Sequence, residues 1–177
     1  MRLPTVSDPQ RSRALVIVSD TTPISELAKV GRVTLLREVY GRVLIPEEVE
    51  TELNAETHPA VAALNSANWI VVHPVVDTGK VLALRAATRL GLGECAAITL
   101  AEELGADRLL MDDRAARREA RVRGLHLVGT VGVLLIAKRR GVIPQVKQVL
   151  DELISHGTRL GQRLYHDTLA LAGESSP

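Results

Sequence analysis

Four carboxylates stand at positions where the needs of folding alone explain them poorly. Asp20 ends the apolar run "ALVIVS", Glu94 sits in "GLGECAAITLAEELG", and Asp112 and Asp113 close "DRLLM". Oxygen donors with no neighbouring Cys or paired His suit a hard divalent cation, Mg²⁺ or Mn²⁺, which keeps waters and phosphate oxygens among its ligands. Without a cation, mutual repulsion raises the pKa of at least one member of such a set. A folding role exists for each, because Asp is a favoured helix N-cap and Glu in a first turn complements the helix dipole. That role suffices for Glu47 and Glu48, which open "PEEVETELN", and serves Glu94 about as well as chemistry does. For Asp20 it is redundant: Thr22 is able to cap the helix that follows, with Pro23 at its first position, where a missing amide hydrogen costs nothing. Likewise one aspartate is enough to cap "RAARREA", so either Asp112 or Asp113 is surplus.

The elements that must position these acids follow from an alternation of short β-branched runs with longer helical patterns. Strands are predicted at "ALVIVS", "RVLI", "WIVVHPV", "DRLLMD" and "LHLVG". Helices are predicted at "PISELAKVG", "RVTLLREVY", "PEEVETELN", around "PAVAALNSA", and at "KVLALRAATRL", "GECAAITLAEELG", "DRAARREARVRG" and "TVGVLLIAKRRG". Beyond Gly141, Val146, Val149, Leu150, Leu153 and Ile154 have helical spacing, and a last helix covers "GQRLYHDTLALA". Parallel neighbours need crossover connections, so this alternation implies an α/β fold with helices on both faces of a parallel sheet. In such a sheet the strands' carboxyl ends and the N-termini of the following helices share one rim, where ligands bind. Asp20, Glu94, Asp112 and Asp113 therefore converge on one edge, with Glu47, Glu48 and Thr130 as weaker members. Residues 1–13 read as a flexible N-terminal segment, 14–157 as the domain, and 158–177 as a C-terminal helix and tail.

Beside the rim, Arg114, Arg117, Arg118 and Arg121 share one helix face, where a phosphate backbone would meet them; a solvated face partly balanced by Glu119 is the competing explanation. Lys138, Arg139 and Arg140 fall in the last turn of their helix, where cations suit the dipole, and read as structural. "GLGE" lacks the lysine and the spacing of a nucleotide-binding loop. A net charge of +1 over 177 residues excludes a uniformly basic binder and leaves nucleic-acid affinity to local surfaces. With Trp69, Tyr40 and Tyr165 as its aromatic residues and no Phe, the chain lacks a base-stacking platform. A lone Cys95 excludes a disulfide framework, predicts a reducing, cytoplasmic setting, and forms no zinc-like pair with the scattered histidines. The run "VGVLLIA" falls far short of the roughly 20 residues of a membrane span.

Taken in order, "VIVSDTTPI", "GLGECAAITLAEELGAD", "LLMDDRAARREA" and "LVGTVGVLLIAKRRGVI" resemble the PIN-domain ribonucleases, within them a prokaryotic subgroup similar to VapC-type toxins. The resemblance runs from about Leu15 to about Leu153. It implies a three-layer fold whose five-stranded parallel sheet has the order 3-2-1-4-5, here with extra C-terminal helices. It also implies a metal-dependent endoribonuclease using Mg²⁺ or Mn²⁺ and leaving a 5′-phosphate and a 3′-hydroxyl. By that resemblance the first acid is Asp20, the helix-borne acid Glu94 and the post-strand acid Asp113, with Asp112 beside it. Thr130 matches a hydroxyl near the metal; Thr21, Arg114 and Arg117 are the other candidate substrate contacts. Where many members carry a further aspartate, this chain has Ala115, so either Asp112 supplies the fourth carboxylate or the site holds fewer metals. The partners implied are RNA and a small antitoxin; separately, the apolar spacing of "VKQVLDELI" suits docking of a second copy of the chain or of that antitoxin, or simple packing onto the sheet. The alternative is a catalytically weak subunit acting mainly by binding an antitoxin or nucleic acid. A phosphatase of the haloacid-dehalogenase type would need an aspartate where Thr22 stands.

Overall fold

The structure, a computed structural model, describes residues 14–55, 57, 61, 64 and 67–174; the segment 1–13 and most of the helix expected around "PAVAALNSA" lie outside the described residues. The first half of the described chain forms β1 (Ile17–Ser19), α1 (Thr21–Lys29), α2 (Thr34–Tyr40), β2 (Val43–Ile45), α3 (Glu47–Ala55) and β3 (Ile70–Val72). The second half forms α4 (Thr78–Thr88), α5 (Leu92–Glu103), β4 (Arg108–Leu110), α6 (Arg114–Val122), β5 (Leu127–Val128), α7 (Thr130–Arg139), α8 (Val146–Ser155) and α9 (Gln162–Leu171). All strand pairs are parallel and the order is β3-β2-β1-β4-β5, as the resemblance implies.

Alternation along each strand divides the apolar residues between two cores, one on each face of the sheet. Ile17, Val43, Ile45 and Leu110 enter the core made with α1, α2, α7 and α8. Val18, Leu44, Leu109 and Met111 point the other way, into the core made with α4, α5 and α6. Emptying such a position, for example by Ile98→Ala, costs roughly 2–5 kcal/mol in lost transfer energy and cavity formation. Helix α5 is buried at Gly93 and from Cys95 to Ala101, which fixes its N-terminal half against the sheet. Gly124 and Gly141 follow the ends of α6 and α7 in left-handed conformation, φ 75° and 72°, where they let the chain turn back.

Two details depart from expectation. Helix α1 starts at Thr21, so Asp20 takes the N-cap position and Pro23 comes third, while Thr22 is exposed and caps nothing. Pro23 is tolerated there because the amides of a first turn have no partner within the helix. In α8, Val146, Val149, Leu150 and Leu153 are buried as spaced, but Ile154 is 42% exposed.

Candidate active site

Strands β1 and β4 lie side by side at the point where the chain's direction of winding reverses, and the crevice above their carboxyl ends is the place where such sheets bind ligands. The backbone N–H of Asp20 donates to the Leu110 carbonyl at 2.9 Å, which ties the end of β1 to that of β4. The Asp20 side chain has no comparable anchor. The residue is 2% exposed, makes no capping bond, and its Oδ1 is buried without a hydrogen-bond partner. Burial pushes its carboxyl up to about 7; the Thr21 amide only partly offsets this, and Glu94, Glu52 and Asp112 add repulsion.

Glu94 does the first-turn work its position allows and also belongs to the rim. Its Oε2 accepts from the Gly91 amide at 2.8 Å at the start of α5. Burial raises its pKa, the Gly91 amide opposes the rise, and the charges of Asp113 and Glu52 reinforce it.

Both adjacent aspartates are engaged. Asp113 caps α6, its Oδ1 accepting from the amides of Ala115 and Ala116, each at 2.8 Å. Asp112 holds the start of α7, accepting from the Thr130 amide at 2.8 Å and from the Thr130 hydroxyl at 2.5 Å. Thr130 thus meets the acid set through Asp112. Gly129 leaves room beside it, because a Cβ there would stand 2.8 Å from Asp112 Oδ1 and force that carboxylate to shift.

A further acid joins them that the sequence reading did not single out. Glu52, half-buried on α3, accepts from the Thr21 hydroxyl through Oε2 and from the Gly93 amide at 3.0 Å through Oε1. Its charge bears on both Asp20 and Glu94. Helix α3 packs against α5, and that packing brings Glu52 to the rim. The first glycine-flanked turn of α5 has a use here: a Cβ on Gly93 would lie 2.5–2.7 Å from the Glu52 carboxylate. The available signal was the position of Glu48 and Glu52, each one residue before the buried pair Val49 and Leu53. Of the weaker candidates, Glu47 is exposed, whereas Glu48 is half-buried with Oε2 unpartnered.

The arginines divide. Arg117 is half-buried and donates from Nη1 to the Met111 carbonyl at 2.7 Å; burial and the charge of Arg121 lower its pKa, with Asp112 opposing. Arg114, Arg118 and Arg121 are exposed along a groove of about 1390 Å³ that Asp112 and Thr130 also line. In the cluster read as structural, Lys138 pairs with Glu174 and Arg140 donates to the Val39 carbonyl, but Arg139 lines the same groove.

Among the described residues no group of three His, Cys, Asp or Glu side chains stands arranged to hold a metal ion. The donor chemistry nevertheless fits a hard cation: every acid offers oxygen only, and Asp20 presents a buried oxygen with nothing to bind. Glu94 and Glu52 are turned to the Gly91 and Gly93 amides, so an ion would draw them from helix-start donors. Among the described residues no helix is long and apolar enough to cross a membrane. A family model described as a PIN domain matches residues 16–174, a span that includes α9. No curated protein matches the chain.

Proposed function

The chain belongs to the PIN-domain family, generally nucleases that use divalent metal ions, and from that premise we propose a metal-dependent endoribonuclease hydrolysing RNA phosphodiesters. The observation that carries this reading is the condition of Asp20: a buried carboxylate with a partnerless oxygen and a pKa pushed up to about 7. A group so placed is costly in the folded chain and becomes favourable once a cation neutralises it. Asp20, Glu52, Glu94 and Asp112 would hold Mg²⁺ or Mn²⁺, directly or through water, with Asp113 contributing the oxygen its cap leaves free. Bound there, the ion supplies activation of a water and neutralisation of charge on the scissile phosphate.

The chain's own residues supply position. Thr130 holds Asp112 in one orientation, and Thr21 and Gly93 do the same for Glu52. Arg117 fixes the turn after β4 through Met111, which sets the height of Asp112; Arg114, exposed at the start of α6, is placed to meet the substrate backbone. The toxin role and the small antitoxin belong to the same proposal, on the resemblance alone.

Purified protein incubated with single-stranded and structured RNA tests the reading. Cleavage is expected to stop with EDTA, to return with Mn²⁺, and to be lost in Asp20→Asn and Asp112→Asn. Cleavage that survives EDTA, or that both variants retain, would sink it.

A further inference from the structure

The groove beside the acids is built from three parts of the chain. Its floor runs along α7 from Thr130 at the rim through Leu135 to Arg139, a length of about 15 Å at the rise of an α-helix. One wall is the arginine face of α6. The turn between α8 and α9 with the first turns of α9 lines the same groove, and it adds Arg159 and Arg163 to the arginines of α6. At about 1390 Å³ the groove exceeds the usual range for a small-molecule site.

Its charge is positive on balance, with seven arginines against Glu26, Asp112 and Asp167. Among the described residues, Arg114, Arg118, Arg121, Arg139 and Arg159 are exposed and have no acidic partner; Arg163 reaches Asp167 only at 3.7 Å, with its side chain 96% exposed. The acids within the groove are already engaged, Asp112 with Thr130 and Glu26 with Lys29 and Thr158. Five exposed guanidinium groups line one channel without an ion-pair partner. A polyanion supplies that partner. Among the arginines, Leu135, Ile154, Leu160 and Leu164 line the same groove and offer an aliphatic surface, suited to bases lying inward while phosphates meet the arginines.

We infer that the groove along α7 is the track of single-stranded RNA leaving the acid rim, and that Arg159 and Arg163 of the C-terminal segment line it together with the arginines of α6. The inference rests on the proposed nuclease reading for the identity of the polyanion. It assigns the segment after α8 a substrate-gripping part, and it moves Arg139 from helix-end stabilisation to phosphate contact.

The test is fluorescence anisotropy of a labelled oligouridylate of about 12 nucleotides, within the usual range of single-strand site sizes. It is done in metal-free buffer over a series of salt concentrations, with uncleaving Asp20→Asn protein as parent. Adding Arg159→Glu and Arg163→Glu should weaken binding at least about tenfold and reduce the slope of log K against log salt by about 1.4, two phosphate contacts at roughly 0.7 each. Arg159→Lys with Arg163→Lys should restore the slope, and Arg37→Glu, on the exposed side of α2, should bind as the parent does. Unchanged affinity and slope in the Glu variants would overturn the inference. So would an acidic amphipathic peptide that binds the parent when the oligouridylate does not. If Mn²⁺-dependent cleavage is present but binding ignores Arg159 and Arg163, the groove falls and the nuclease stands. If binding depends on them and no RNA is ever cleaved, the groove stands and the hydrolytic reading falls.

Discussion

Asp20 and Glu174 are both carboxylates held largely out of water, and the fold treats them in opposite ways. Glu174, its side chain 10% exposed, receives Lys138 and the amides of Val146 and Lys147, the last two at 2.7 Å, at the N-terminus of α8. Burial alone would raise its pKa, but the ion pair and the two amides outweigh burial and lower it. Asp20 has the burial with only the Thr21 amide to oppose it and its Oδ1 unpartnered, and its pKa rises to about 7. A carboxylate that is only structural finds donors for its charge; one left without them at a sheet's switch point is kept for a ligand. The difference also sets opposite signs for the dependence of stability on pH.

The largest effect expected is on catalysis. Asp20→Asn should lower RNA cleavage on the order of 100-fold or more, the scale of losing charge stabilisation at a phosphoryl centre. The same substitution should stabilise the metal-free protein. The native carboxyl holds its proton up to about pH 7, while in the unfolded chain it ionises near 3.8, so its contribution declines as pH rises from about 4 through 7. At pH 8 the variant should gain about 4 kcal/mol, or roughly 8–16 °C in a thermal melt. Next in size, Glu52→Gln should reduce activity or Mn²⁺ affinity by roughly 10–100-fold, the cost of disturbing a metal's immediate surroundings. A full-rate Glu52→Gln enzyme would remove that residue from the site.

At the other end of the comparison, Glu174→Ala should cost about 2 kcal/mol at neutral pH, measured by urea unfolding, because three charge-assisted hydrogen bonds are lost. Its lowered pKa makes that stability present above the ordinary carboxylate range and lost as pH falls through the folded value, so the difference from wild type should shrink in acid. A Glu174→Ala penalty that grows in acid would break the contrast with Asp20. The smallest effect on stability is that of Asp113→Ala, which removes the α6 cap and should cost about 1 kcal/mol in urea unfolding.

Much of this was legible in the residues. The alternation of short apolar runs with helical patterns called for a parallel sheet between helices, and the structure accordingly divides Ile17 from Val18 and Leu110 from Leu109 between two cores. The surplus of Asp20 was also visible, although the reason differs in detail: Asp20 itself takes the N-cap position, without a capping bond, and Thr22 does nothing. The expectation of a spare carboxylate among Asp112 and Asp113 missed that a helix start from the neighbouring strand, Thr130, claims one of them. Glu52 was hidden because sorting acids by height counts residues from a helix start, and Glu52 sits beyond the first turn of α3. Only the packing of α3 on α5 brings it to the rim. Arg139 was hidden in the same way, since its placement in a groove depends on the C-terminal segment folding alongside α7.

The most direct test of the account is a set of thermal melts at pH 8, of wild type and Asp20→Asn, each with and without Mn²⁺. The metal-free variant should melt above metal-free wild type, and Mn²⁺ should raise the wild-type melting temperature while leaving the variant nearly unmoved. A variant that melts below wild type without metal, together with a wild type indifferent to Mn²⁺, would contradict it.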